Sequence, residues 1–114
     1  MCAADCGGPR KKEEDNMQFV ITAHDGRNML EKRMSVRPRH LENLKKTNGR
    51  VLCAGGILDD AGKMIGSVMV MEFASKELLD EYLAAEPYIL EKVWEEIRVE
   101  PMNVVILNGE AVGK

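Results

Sequence analysis

The chain has 114 residues, the size of a single domain, with 45% hydrophobic and 31% charged residues and a net charge of −3. This balance, without a Lys/Arg-rich block free of acids, argues against binding to nucleic acid through phosphate contacts. Apolar runs are far shorter than the roughly 20 residues that span a bilayer, and the first residues lack the apolar core of a secretory signal. We therefore expect a cytoplasmic protein with neither nucleic acid nor membrane as a partner.

Residues 1–16 predict a disordered leader, because Gly, Pro and mixed charges dominate there and little apolar surface is available for burial. Cys2 and Cys6 lie in this leader, and Cys53 lies in an apolar stretch. An odd number of cysteines without framework spacing fits a reducing cytosol better than a disulfide scaffold. No second pair of ligands accompanies Cys2 and Cys6, so we expect no metal site.

The first predicted strand covers residues 19–23, where β-branched side chains dominate. A helical pattern then runs over residues 28–48. Asn28 is the expected N-cap, Glu31 stands where a capping-box partner belongs, and Gly49 is a good stop signal.

The second half of the chain predicts a hairpin, a helix, a short helical turn and a last strand. In chain order these are a strand over residues 50–54 closed by Gly55-Gly56, a turn over 59–62, a strand over 65–73, a helix over 75–85 capped by Ser75, a short helix over 88–95, a strand over 97–107 and a loose C-terminal tail over 108–114.

This order, β-α-β-β-α-β, predicts an α+β domain of the ferredoxin-like plan over residues 17–107, with a four-stranded antiparallel sheet and both helices on one face. Val20, Leu52, Val68 and Val70 cannot all point at the helices, so the other face stays apolar. A second copy's sheet is the economical cover for that face, which predicts a homodimer.

The helix over residues 28–48 places three potentially cationic side chains beside its predicted core face. At about 100° per residue, the expected buried stripe consists of Leu30, Met34, Leu41 and Leu44. Arg37 falls within this stripe, and Arg33 and His40 lie at its edge. These positions hold only for a straight helix over residues 28–48, because a kink at Pro38 or a helix that starts near Ser35 would change the angles between the side chains.

A neutral histidine held by a carboxylate can act as a general base near neutral pH. Two acids are placed to hold His40, namely Asp25 after the first strand and Glu86 at the end of the second long helix. In the alternative interpretation, the histidine and arginines only satisfy each other structurally. Gly55 and Gly56 are too few for a phosphate loop and instead predict close backbone approach near a pocket mouth.

These segments resemble the YCII-related family over nearly the whole core. The similar segments are Phe19-Val20-Ile21 leading to Asp25, Leu30-Glu31-Lys32-Arg33, Arg37-Pro38-Arg39-His40-Leu41, Ala54-Gly55-Gly56, Ser75-Lys76-Glu77 and Glu86-Pro87-Tyr88. The resemblance implies a dimeric α+β barrel with an active site in a cleft of the dimer, built on the helix histidine and a carboxylate. Carried over by position, the family's histidine is His40, its arginines are Arg33 and Arg37, and its acid after the first strand is Asp25. Glu86 stands where the family usually has an Asp before proline.

The main functional hypothesis is a cofactor-free enzyme in which His40 moves a proton on a small anionic organic compound, by elimination, isomerisation or lactone chemistry. Some relatives in the family act on small aromatic or lactone-like compounds. The predicted catalytic residues are His40, Asp25 and Glu86, and the predicted substrate-binding residues are Arg33, Arg37, Gly55 and Gly56, with Arg39 as a further candidate cation. The alternatives are a non-catalytic module that binds a small acidic molecule and a purely structural domain. A His40 that is fully buried and bonded only to backbone would exclude both the enzyme and the binding module.

Overall fold

A computed structural model of the protein describes residues 16–113, so that Cys2, Cys6 and all of the predicted leader except Asn16 lie outside the described part. Its helices and strands are β1 Met17–Asp25, α1 Leu30–Lys45, β2 Arg50–Leu58, β3 Met64–Phe73, α2 Lys76–Ala84, α3 Pro87–Leu90, β4 Trp94–Met102, β5 Ile106–Leu107 and β6 Glu110–Ala111. None of the helices within residues 16–113 has both the length and the apolar character needed to cross a membrane.

The strands β1 to β4 form one antiparallel sheet in the order β2-β3-β1-β4, which confirms the predicted ferredoxin-like α+β plan. Burial alternates along β1: Phe19, Ile21 and Ala23 face the helices and are buried, while Val20 and Thr22 point to the other face and are half-buried. Ile21 lies between Met69 of β3 and Val99 of β4, at the centre of the core. We call the face of the sheet away from the helices the open face.

The start of α1 differs from the prediction. Asn28 has a positive φ of 56° and belongs to the turn after β1, and the helix begins after Met29 without a side-chain cap. A left-handed residue cannot adopt the extended backbone of an N-cap, and Asn tolerates the left-handed region better than most residues. The turn geometry therefore decides where the helix starts.

The buried face of α1 also differs from the predicted stripe. Arg33, Val36, His40 and Leu44 are buried, whereas Leu30, Met34 and Leu41 are at least 36% exposed. Apolar periodicity failed because two polar side chains occupy the inner face, each bonded to an acid from another part of the chain. Pro38 lies inside α1 on its exposed side, and the helix continues past it.

Two further strand limits were predicted incorrectly. β2 does not end at Gly55-Gly56 but continues through both glycines to Leu58, paired with β3. The last long strand ends at Met102, and a small hairpin of β5 and β6 spans the end of the predicted strand over residues 97–107 and the predicted loose tail. Asn108 and Gly109 connect its strands, both with positive φ, as a two-residue hairpin turn requires.

Candidate functional site

The centre of the candidate site is a buried contact between His40 on α1 and Glu86. Nδ1 of His40 lies 2.7 Å from Oε2 of Glu86, and the two side chains are 8% and 0% exposed. The sequence left the acidic partner of His40 open between Asp25 and Glu86; the fold brings Glu86 to it. Because His40 is bonded to a carboxylate, the condition that would exclude an enzyme or a binding module is not met.

Local structure holds the Glu86 carboxylate in place. Glu86 is the N-cap of α3, and its Oε2 accepts the backbone N–H of Tyr88 at 2.9 Å. Its Oε1 accepts the hydroxyl of Tyr82, one helical turn earlier in sequence, at 2.6 Å. Burial raises the pKa of Tyr82 well above its usual range, and the nearby Glu86 raises it further, so Tyr82 remains a donor.

These contacts define the role of each ring nitrogen of His40. A carboxylate only accepts hydrogen bonds, so a neutral His40 carries its proton on Nδ1 and directs it to Glu86. The lone pair then resides on Nε2, which has no hydrogen-bond partner among residues 16–113. An orienting acid on one nitrogen and a free lone pair on the other are the requirements for a general base.

Aromatic rings fix the plane of the imidazole. Tyr88 stacks on His40 with ring centroids 4.2 Å apart and an interplanar angle of 23°, and Trp94 meets His40 edge-on at 6.0 Å. Burial raises the pKa of Tyr88, against the opposing effect of the charges on Arg33 and Arg37, so its hydroxyl stays protonated at neutral pH. Such packing restricts rotation of His40 away from Glu86.

Asp25, the other candidate acid, belongs to a second buried cluster. It binds Arg33 in a bidentate manner, with 2.6 Å to Nε and 3.1 Å to Nη2. The same Nη2 donates to the hydroxyl of Ser67 on β3 at 2.6 Å, and the guanidinium lies 4.6 Å from the centre of the Tyr88 ring. Asp25 therefore neutralises Arg33 and does not contact His40 through any recorded hydrogen bond.

A cavity of about 110 Å³ lies between α1, β2 and β3. It is lined by Arg33, Arg37, His40, Leu41, Leu44, Ala54, Gly55, Gly56, Met64, Ser67, Met69 and Tyr88. All four predicted substrate-binding residues and His40 thus reach one space, whereas Asp25 and Glu86 lie behind it as partners of Arg33 and His40. Arg39 is directed elsewhere, to the exposed Glu91.

Arg37 differs from Arg33 in being exposed and in having no ion pair within residues 16–113. It is therefore the arginine of this cavity whose charge no described acid neutralises. Gly55 and Gly56 form a wall without side chains, and a Cβ at Gly56 would come within 3.0 Å of Met64 Sδ. No cluster of three or more His, Cys, Asp or Glu side chains suited to a metal occurs among residues 16–113.

Sequence reasoning missed three residues of this site, namely Ser67, Tyr82 and Tyr88. Tyr82 carried a partial signal, because it stands four residues before Glu86, about one helical turn, although Glu86 lies beyond the end of α2 at Ala84. Ser67 carried no such signal, since a serine that alternates with apolar residues in a strand is common at the edge of a hydrophobic core.

Comparison with known proteins agrees with this architecture. Residues 17–103 match the sequence profile of the YCII-related domain. Protein YciI of Escherichia coli O6:H1 is 38% identical over 97 residues, which cover 78% of this chain and 99% of YciI.

Among solved structures, the chain is similar to TftG of Burkholderia phenoliruptrix, a 5-chloro-2-hydroxyhydroquinone dehydrochlorinase in complex with 2,5-dihydroxybenzoquinone. The TM-score is 0.66 at 24% identity, covering 74% of this chain and 91% of TftG. A nipsnap family protein of Agrobacterium tumefaciens gives a TM-score of 0.51 at 14% identity, covering 76% and 86%. These neighbours are of the dimeric α+β barrel type, and at such identities the likeness shows the fold.

Proposed function

The chain belongs to the YCII-related domain family, and from this membership and the His40–Glu86 pair we propose that it is a cofactor-free acid–base enzyme. Its substrate is a small anionic organic compound, and the reaction is proton transfer leading to elimination, isomerisation or opening of a lactone. The observation that carries the proposal is the free Nε2 of His40, opposite a nitrogen held by a buried carboxylate, beside a small cavity.

Each group has a role in this proposal. His40 removes a proton through Nε2, and Glu86 orients the ring and stabilises the imidazolium that forms. Arg37 attracts the anionic part of the substrate, because its charge is not neutralised by a described acid. The substrate is a small molecule or the small reacting end of a larger one, given a cavity of about 110 Å³. The hydroxyquinone bound by TftG supports a compact oxygenated ring as a first candidate.

The direct test is a screen for turnover on lactones and on halogenated or hydroxylated aromatic acids and phenols. The wild type is compared with His40→Ala and with His24→Gln, which changes the other, exposed histidine. We expect His40→Ala to lower the rate by about 10²–10⁴-fold and His24→Gln to leave it unchanged. Equal rates for wild type and His40→Ala would remove His40 from the mechanism.

Binding without turnover is the second candidate, because His40 is almost completely buried and a substrate must reach a single ring nitrogen. In that case the same cavity captures a small acid, and its affinity depends on Arg37 but not on the His40 lone pair. Saturable binding by wild type and His40→Ala alike, with no turnover in either, would favour this function.

We also propose that the protein is a homodimer whose two open faces pack together. Val20, Val68 and Val70 lie on this face and remain half-buried in a single chain. Clefts of about 630 Å³ beside Gln18 and Glu72 and about 440 Å³ beside Thr22 and His24 lie along the same face. The structural neighbours are dimeric α+β barrel proteins, which supports a second copy of the chain as the partner that covers the open face.

A further inference from the structure

Met64, the first residue of β3, lies in the wall of the cavity that His40 borders, and it is only half-buried. We propose that Met64 is a specificity-determining residue, a movable part of the wall that must turn aside before a six-membered ring can enter beside His40. This inference rests on the proposed function, and it adds the residue that sets the size of the ligand.

An irregularity in β3 brings Met64 to this side of the sheet. The buried residues Ser67 and Met69 face the helices, so strict alternation would direct the side chain of residue 64 to the open face. Between Gly66 and Met64, however, the pairing advances by two residues on β3 and by one on β2, so that Ile65 is an extra residue. One extra residue reverses the alternation, and Met64 lines the cavity instead.

The cavity is too small for a ring while Met64 keeps its position. Its volume is about 110 Å³. An apolar cavity that holds benzene in another protein measures roughly 150 Å³. The oxygenated ring proposed above as the first candidate substrate is larger than benzene. Entry of a compound of this class therefore requires that part of the wall moves.

Most of the wall is held in place. Arg33 and His40 are each bonded to a buried carboxylate, and Tyr88 and Met69 belong to the hydrophobic core. Close packing in a core leaves such side chains little room to change position. The part of the wall that moves must therefore be sought among its side chains that are not buried.

Met64 is the wall side chain that can move at the lowest cost. It packs over the bare backbone of Gly56, where a Cβ would lie 3.0 Å from Sδ of Met64. It is not one of the residues that form the core cluster or pack against it. Its unbranched side chain has three rotatable bonds. Leu41, the other large apolar side chain of the wall that is not buried, is branched and shorter, and Arg37 stays in place to bind the anion.

The test compares the binding of 2,5-dihydroxybenzoquinone and of oxalate by calorimetry. Both probes are dianions at neutral pH, but only the first contains a ring. Met64→Ile keeps the volume of the side chain and suits a strand, yet its branched Cβ restricts rotation. We expect Met64→Ile to bind the quinone about 10- to 100-fold more weakly than the wild type, the cost of an overpacked site. Oxalate, which fits without movement of the wall, should bind equally to both proteins.

Met64→Ala, which removes this part of the wall, is the second variant and should bind the quinone at least as tightly as the wild type. The matched control is Met17→Ala, because Met17 is 42% exposed and pairs with Phe73 at the other end of β3. Circular dichroism checks that each variant is folded. Met17→Ala should bind both probes as the wild type does.

Three results would overturn the inference: a wild type that does not bind the quinone, a Met64→Ile protein that binds it as tightly as the wild type or loses both probes equally, and a Met64→Ala protein that binds it more weakly. Failure of the proposed function looks different. Turnover is then the same in wild type and His40→Ala, while the effect of Met64 on binding of the quinone persists.

Discussion

Nδ1 of His40 and Oε2 of Glu86 lie 2.7 Å apart although the two residues are 46 positions apart in the chain. The carboxylate is fully buried and accepts from His40, Tyr82 and the backbone of Tyr88. Three donors on one buried acid satisfy its oxygens without solvent. The pair orients His40 and stabilises the packing of α1 on α3.

Glu86→Gln replaces this acceptor by an amide of nearly the same shape. We expect the proposed activity to fall by about 10²–10⁴-fold, because the ring loses its orienting charge and the Nδ1–H form is no longer favoured. ¹⁵N chemical shifts of the imidazole report which nitrogen carries the proton, and the only other histidine, His24, is an internal reference. An unchanged tautomer and unchanged rate would contradict the role given to Glu86.

Asp25→Asn leaves the buried guanidinium of Arg33 without a counter-charge. Breaking one side of a buried pair costs about 3–5 kcal/mol, and we expect the free energy of unfolding in urea to fall by that order. The control is Glu91→Gln, which breaks the exposed pair with Arg39 and should cost about 0–1 kcal/mol. Similar losses in the two variants would show that the Asp25–Arg33 pair is not the structural element we describe.

Tyr82→Phe tests the hydroxyl that donates to Glu86. At neutral pH we expect a loss of about 1–3 kcal/mol, the cost of a buried acceptor left without its donor. At alkaline pH this difference becomes smaller. Burial and then Glu86 raise the pKa of Tyr82, whereas an unfolded tyrosine ionises near pH 10. Above that pH the unfolded state binds fewer protons, so the wild type loses stability as pH rises.

The measurement for this variant is urea denaturation between pH 7 and pH 11. The difference in stability between wild type and Tyr82→Phe should shrink above about pH 10. Tyr88, whose pKa burial also raises, contributes the same slope to both proteins and cancels in the difference. A difference that stays constant over this range would contradict the buried Tyr82 hydroxyl.

Val70→Glu places a charge at the middle of the open face. If the open faces of two copies pack together, two like charges become buried near the two-fold axis, and the dimer should dissociate. Sedimentation at micromolar concentration reports the change, with Leu90→Glu on the exposed side of α3 as the control. A wild-type monomer, or a Val70→Glu protein that remains dimeric, would overturn the proposed arrangement.

Gly56→Ala tests the bare wall of the cavity. Its Cβ would lie 3.0 Å from Sδ of Met64, so that the methyl and the displaced Met64 reduce the space for a ligand. Ser35→Ala is the control, since Ser35 is exposed on α1 and bonds only the carbonyl of Lys32. We expect weaker binding of 2,5-dihydroxybenzoquinone to Gly56→Ala alone, with both variants folded. Equal binding by the two variants would remove Gly56 from the ligand wall.

The sequence predicted the topology well because strand and helix signals are local. The β-branched run at residues 19–23 and the hairpin turn at 59–62 depend on neighbours in the chain, and both elements are present. The same locality explains the errors at Asn28 and in the C-terminal hairpin, where backbone conformation at one or two turn residues decides the outcome. The limits predicted for the leader and the domain stay predictions.

The sequence by itself determined the β-α-β-β-α-β order and singled out His40, Arg33, Arg37 and the glycine pair, because each carries a residue-type or spacing signal. Only the tertiary structure decided which acid holds which cation: Glu86 pairs with His40, and Asp25 pairs with Arg33. Apolar periodicity assumes that charged side chains point outward. On α1 a buried acid from β1 and another from the N-cap of α3 compensate the desolvation of Arg33 and His40. Such pairing between elements is set by packing and cannot be read from apolar spacing along one helix.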